Sequence, residues 1–299
     1  ESPEEIARIS EQQLKILRRR RTISLVIRYF VLILVGIFMV YPLIWMVGAT
    51  FKTNNEIFTT LNPIPAKPTV QGYVDAMNSY GGDINIWKAM LNTYSYVLPE
   101  VIFTVISSTL TAYGFARFKF KGHDILFTLM MAMLFLPQVV LNVPQYLLYN
   151  KFGWVGSPLY LAMIVPTAFA TETYFIFMLI QFLRNIPKDL EEAAAIDGCN
   201  AFQTLIKIIV PMLMPAIVSC ALFKFMWSSN DFLGPLLYVK TPAKYPATIF
   251  VKLSMDSDSG FNWNRVLAVS LISIIPNIAV FFAAQNQFVE GISAGGVKG

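Results

Sequence analysis

The chain has 299 residues, 56% hydrophobic and 14% charged, against roughly 25% charged in soluble domains, and its mean hydropathy is +0.56. That balance excludes an ordinary soluble globular fold and places the chain in a membrane. The formal net charge of +5 does not point to nucleic acid, because the basic residues fall mainly at the ends of apolar runs, where they set topology and meet anionic membrane lipid.

A bilayer core of about 30 Å takes about 20 apolar residues per helical span, and six such runs follow in order. Ser2, Pro3 and Glu5 have the spacing of a helix start, so residues 1–23 read as a cytoplasmic N-terminal helix leading into the basic cluster Arg18 to Arg21. The first span is 24–51; its apolar run is too long for a signal peptide and lacks a cleavage pattern. Residues 52–88 form an extracytoplasmic loop punctuated by Asn62-Pro63, Pro65, Pro68 and Gly81-Gly82. A five-helix core, 89–290, comes next. Its runs at 89–116, 152–183 and 208–230 hold one charge each, Glu100, Glu172 and Lys224, while 125–150 and 266–289 hold none. Runs this long and continuous are helices, since barrel strands alternate over about 10 residues. The expected fold is therefore all-α, with six transmembrane helices.

The third outer connection, from Phe232 to Arg265, is long, and Asp256, Asp258, Asn262 and Asn264 give it an exposed character. Residues 291–299 form a glycine-rich cytoplasmic tail. With the N-terminus inside, Arg18 to Arg21, Arg28, Arg117, Lys119, Lys121, Arg184, Lys188 and Lys207 collect on the inner side, and the longer outer loops hold fewer lysines and arginines. Both termini are thus assigned to the cytoplasm. Cys199 and Cys220 fall in a cytoplasmic loop and in a span, so no disulfide is expected. Prolines 99, 137, 144, 166, 211, 215 and 276 punctuate the spans. Each removes a helical hydrogen bond, which a membrane tolerates where neighbours or a water-filled cavity satisfy the freed carbonyl.

Between the fourth and fifth spans, residues 185–210 form a polar loop. Pro187 and Asp189 favour a helix start, Glu191 and Glu192 suit its positive end, and Gly198 can supply a left-handed stop. A second helix is expected from about Ala201 through Ile209, leading to Pro211. Methyl-sized Ala193, Ala194 and Ala195 allow another protein's surface close to the backbone, and Glu192 offers a charge to a basic partner.

The run Glu192-Ala193-Ala194, then Gly198, then nine residues to Ile208-Ile209-Val210-Pro211, resembles the coupling-loop signature of ABC importer permeases, E-A-A-x3-G-x9-I-x-L-P, with Val210 in place of leucine. Ala112 to Gly122, Asn230 to Leu237 and Phe288 to Gly299 are similar to stretches of the maltose-type carbohydrate permeases, so the resemblance covers about 24–299. It implies a type I ABC importer bundle in a prokaryotic inner membrane, with a cytoplasmic coupling helix pair. Two such permeases, here a heterodimer, would form the pore. Two ATPase subunits carrying ATP and Mg would grip the coupling helices, and an extracytoplasmic solute-binding protein would deliver a carbohydrate, a di- or oligosaccharide. Glu192, Ala193, Ala194, Asp197, Gly198 and Pro211 would carry the ATPase coupling; Gly295, Gly296 and Lys298 of the tail would lie against the ATPase pair.

No catalysis and no bound cofactor are expected of this chain. Gly291 to Lys298 misplaces the lysine for a phosphate loop, no Ser or Thr follows it, and no helix follows. His123, the one histidine, has no metal-ligand or triad companions. Glu100 and Lys224 lie at similar depths, which predicts an ion pair between them. Sugar sites combine amides and acids with aromatic faces, and Gln138, Asn142, Gln145, Tyr149, Glu172, Tyr174, Trp227, Asn230 and Asp231 fit that chemistry; the same residues would also serve helix–helix hydrogen bonds. A secondary transporter or channel subunit is the alternative that kinked spans and isolated charges permit, although it has no use for an ATPase-docking loop.

Overall fold

The computed structural model describes residues 3–255 and 261–296, with side chains from 19 to 255 and from 261 to 285. Among these residues the regular structure is helical, and the one β feature is an isolated bridge between Tyr80 and Ile84.

Helix α1 spans Pro3–Ala49 without interruption. The boundary expected at residue 23 is no break, because neither glycine nor proline occurs between Pro3 and Gly36. Ser2, the expected cap, lies outside the described residues. The apolar part of α1 is exposed from Thr22 to Ile44 apart from half-buried Gly36 and is held at its far end, where Ala49 is buried: the Tyr41 hydroxyl donates to the Leu61 carbonyl at 2.5 Å. Gly48 packs so closely under Pro63 that a Cβ would lie 1.7 Å from the proline carbonyl oxygen.

The loop that follows folds back through α2, Asn54–Thr59, and α3, Gln71–Met77. Asn54 accepts the backbone N–H of Asn264 at 3.0 Å, and the Asn262 amide donates to Asp75 at 2.9 Å. Asn264 is consequently buried and Asn262 half-buried, not exposed as their polarity predicts; Asp256 and Asp258 lie outside the described residues. Helix α4, Ile86–Arg117, starts on an Asn85 cap and passes through Pro99.

The third and fourth apolar runs are each broken. Helices α5, His123–Met133, and α6, Gln138–Lys151, meet at 105°. Pro137 causes this bend, since it has no N–H to donate and disfavours helical geometry at the residue before it. Helices α7, Leu161–Thr167, and α8, Thr173–Arg184, are separated by a turn in which Ala170 is left-handed, with φ 56°. No proline or glycine lies in that break, so the sequence reads as one run.

Helix α9, Asp189–Ile196, is followed by α10, Ala201–Thr204, a π turn at Leu205–Ile209, and α11, Val210–Asn230. The second loop helix does not stop before the span; Ala201–Asn230 is one continuous helix. Pro211 cannot donate to the carbonyl four residues back, that of Lys207, and the wider π register takes up this mismatch. Helix α12, Leu233–Tyr238, a 3-10 turn at Pro242–Lys244 and α13, Ala247–Met255, fill the next connection. The last helix, α14, Trp263–Gly296, carries Pro276 inside it and absorbs most of the expected tail, Gly295 and Gly296 included. Lys298 lies outside the described residues.

Four helices are long and apolar enough to cross a membrane, or five with the bent α5–α6 pair as one span. The remaining expected span corresponds to α7 and α8, neither long enough to cross alone. Helices α4, α8 and α11 enclose a core of Tyr113, Phe175, Leu179, Leu183, Ile209 and Leu213. A second core, with Ile84, Ile86, Phe250 and Val269, ties α4 to α13 and α14. The 168–172 break and the 185–210 loop therefore flank the two ends of α8, which packs against α4 and α11 in this core.

Candidate functional site

The loop owes its shape to local backbone chemistry. Asp189, Glu191 and Glu192 occupy the first turn of α9, where unpaired N–H groups favour negative charge. At the other end the Cys199 N–H reaches the Ala194 carbonyl at 2.9 Å and the Gly198 N–H reaches that of Ala195 at 3.1 Å, with Gly198 at φ 83°. This is a Schellman stop, and the left-handed residue it requires is glycine. Asn200 and Gln203 then form a reciprocal capping box that opens α10, both contacts being 2.9 Å.

Seen from outside, Glu192, Ala193, Ala195 and Asp197 are exposed, as is Pro211 at the base of α11. Ala194 is not: it is 3% exposed and turned onto the core, so its small size serves helix packing within this chain. Ile196, 87% exposed, and Phe202 add apolar knobs to the charged face. Glu191, one residue before Glu192, points inward instead and contacts Arg117.

The 168–172 break, through Thr171 and Glu172, and α6 from Gln138 onward line a cavity of about 470 Å³. Interrupted helices in membranes characteristically line such polar spaces, where the freed backbone groups find partners. Gln138, Asn142 and Tyr149 from α6, Glu172 at the start of α8, and Trp227 and Asp231 around the end of α11 all line it. Asn230 does not. It faces a separate space of about 370 Å³ beside α13 and α14, and its amide donates to the Met226 carbonyl at 2.7 Å. Tyr174 packs against Trp227, with ring centroids 5.1 Å apart, instead of lining the cavity.

One wall of the cavity is a charge cluster. Lys224 Nζ donates to Glu172 Oε1 at 2.5 Å and lies 3.5 Å from Glu100 Oε2; Ser228 Oγ donates to Glu100 at 2.5 Å. The expected Glu100–Lys224 pair is thus the longer half of a three-residue arrangement that joins α4, α11 and the α7–α8 break. Glu172, whose residue type fits either sugar chemistry or a contact between helices, takes the second role here through Lys224 while it also lines the cavity. Ser228 and Tyr238 also line the cavity; Ser228 is legible as the i+4 neighbour of Lys224 on one helix face, whereas nothing in the sequence marks Tyr238. Asp231 accepts the backbone N–H groups of Leu233 and Gly234 at 3.0 and 3.2 Å, so it also anchors α12. Among the described residues no group of His, Cys, Asp and Glu could hold a metal ion.

Spans broken around a polar cavity, joined by one continuous helix to a structured loop at the other end, define a membrane transport subunit. The chain belongs to the family of binding-protein-dependent transport system inner membrane components, whose model matches residues 105–288. It is a multi-pass, non-catalytic permease subunit of an ABC importer that works with a solute-binding protein, which sets aside the secondary-transporter and channel alternative. The chain is 35% identical over 227 residues to an osmoprotective compounds uptake permease protein of Synechocystis, covering 76% of this chain and 74% of that one. It is 30% identical to the trehalose/maltose transport system permease protein of Thermococcus litoralis, covering 89% and 94%, and 28% identical to the galactooligosaccharides transport system permease protein of Bacillus subtilis, covering 94% and 98%. Among solved structures, a bacterial ABC transporter involved in the import of the acidic polysaccharide alginate matches with a TM-score of 0.76 at 18% identity, over 90% of this chain and 98% of that one, which shows the shared fold.

Proposed function

We propose that this permease takes up a di- or oligosaccharide delivered by its solute-binding protein, as one half of a heterodimeric pore driven by two ATPase subunits that hold ATP and Mg. In this reading the chain crosses the membrane six times with both termini in the cytoplasm. Its exposed loop face, Glu192, Ala193, Asp197, Ile196 and Phe202, docks in the ATPase, and Gly198 sets the bend between α9 and α10. Gly295, Gly296 and Lys298 approach the ATPase pair. Gln138, Asn142, Glu172 and Asp231 supply hydrogen-bonding groups to sugar hydroxyls, and Tyr149 and Trp227 supply ring faces.

One observation carries the reading. The docking loop and the cavity wall share a single helix, Ala201–Asn230, so that a push at Phe202 is delivered about 35 Å away at Lys224 and Trp227. A rigid-body rocking of α11 would open the cavity to one side and then to the other. The sugar names of relatives, trehalose/maltose and galactooligosaccharides, support the substrate class.

Co-purification tests the assembly. An ATPase subunit should follow the wild-type chain out of the membrane, and Glu192→Lys should release it or abolish transport while the chain still inserts and folds. Transport that persists without any ATPase would refute the assembly. Binding of a panel of neutral and acidic oligosaccharides to the companion binding protein tests the cargo, and binding of amino acids or ions instead would overturn it.

A further inference from the structure

Two adjacent glutamates at the start of α9 face opposite ways, and the inward one has a built environment. Glu191 Oε1 lies 2.5 Å from Arg117 Nε, with the two side chains 17% and 6% exposed. Arg117 also donates from Nη2 to the Ile186 carbonyl at 2.9 Å. One turn earlier on α4, the Tyr113 hydroxyl reaches Glu191 Oε2 at 3.4 Å and the Ala201 carbonyl at 3.5 Å. The last turn of α4 therefore holds the loop at its entry, at α9 and at the start of α10. An exposed ion pair has little mechanical worth, but a shielded one with backbone contacts on both sides is costly to break. Its far connection is equally specific. Glu100 lies 17 residues back along α4, about 25 Å, and is part of the Lys224–Glu172 cluster at the cavity.

The geometry points to Arg117 and Glu191 as positioning residues that convert loop movement into movement of α4, so that the cavity wall receives the stroke through two helices, α4 and α11, and not through α11 alone. Glu192 binds the ATPase; Glu191 hands its motion inward. This rests on the docking role proposed for the loop.

The test uses the complete transporter, permeases with ATPases, reconstituted in liposomes with its binding protein and solute, and measures solute moved per ATP hydrolysed. Glu191→Gln keeps the size of the side chain and removes its charge. The expected result is an assembled complex that hydrolyses ATP but moves about fivefold or more less solute per ATP, with Arg117→Lys giving a smaller loss and the exchange Arg117→Glu with Glu191→Arg restoring part of it. An unchanged ratio in Glu191→Gln would overturn the inference, and so would transport and hydrolysis falling in proportion, the mark of a merely structural pair. Loss of the ATPase from Glu191→Gln would also overturn it, because Glu191 would then belong to the docking face. A wild-type chain that brings down no ATPase would sink the docking role itself, a separate outcome.

Discussion

Lys224 shows how one side chain can decide the packing of three segments. Its ammonium lies 2.5 Å from Glu172 and 3.5 Å from Glu100, and removing it leaves two carboxylates facing each other inside the membrane region. Lys224→Met is expected to destabilise the purified chain by about 3–5 kcal/mol, read as thermal unfolding in detergent, with partial recovery on adding Glu172→Gln. Swapping Lys224 with Glu100 alone should not rescue, since a glutamate at 224 would then confront Glu172; full rescue by that swap would show that Glu172 is not part of the cluster. Gly198 acts over a shorter range. At φ 83° an alanine costs about 1–2 kcal/mol of local strain, so Gly198→Ala should weaken ATPase retention while lowering the unfolding temperature of the isolated chain by only a few degrees. These residues differ in how visible they are beforehand. Gly198 announces itself after an alanine-rich helical run, whereas Glu191 and Glu192 look alike until the 100° rotation between neighbours on a helix sends one into the core and the other to solvent.

At the scale of elements, hydropathy locates the apolar runs because each must present carbon to lipid, but it is blind to where a run stops being helical. Pro137 gives the first break away. Ala170 does not: its left-handed geometry is held by the surrounding packing, so the α7–α8 break and the cavity it opens go unseen from residues 152–183 alone. Asn262 and Asn264 mislead for the converse reason: the Asn262 side-chain amide donates to Asp75 and the backbone N–H of Asn264 donates to Asn54, and these contacts with the first loop draw both residues inward. The π turn makes a sharp prediction. It accommodates one extra residue between loop and span, so deleting Ile206 should convert it to α-helix and keep Leu213, Ala216 and Cys220 on the buried face. Deleting Val218 instead turns everything beyond it by about 100° and takes Lys224 away from both glutamates. ATPase co-purification and thermal stability should survive the first deletion and not the second; equal damage from both would mean that the π turn is needed for its own shape.

Across the whole molecule, stability is concentrated in the unit of α4, α8, α11 and α14, and α1 stands outside it. Phe38 on α1 is 80% exposed, while Phe175 in the α4–α8–α11 core is fully buried. Lipid tails are as apolar as phenylalanine, so what Phe38 gains by staying in place is packing, and in the isolated chain there is little to pack against. Phe175→Ala should therefore cost about 3–5 kcal/mol by opening a cavity, and Phe38→Ala less than about 0.5 kcal/mol as a surface change, both read from thermal unfolding of the chain alone. Repeating the pair of measurements on the proposed assembly with a second permease separates two environments for α1. If only lipid covers it, the Phe38→Ala value stays small; if the second permease seats on this face, the same substitution becomes a cavity in an interface and its cost rises toward that of Phe175→Ala. A large cost already in the isolated chain would mean that α1 packs on its own core, contrary to the exposed arrangement described above.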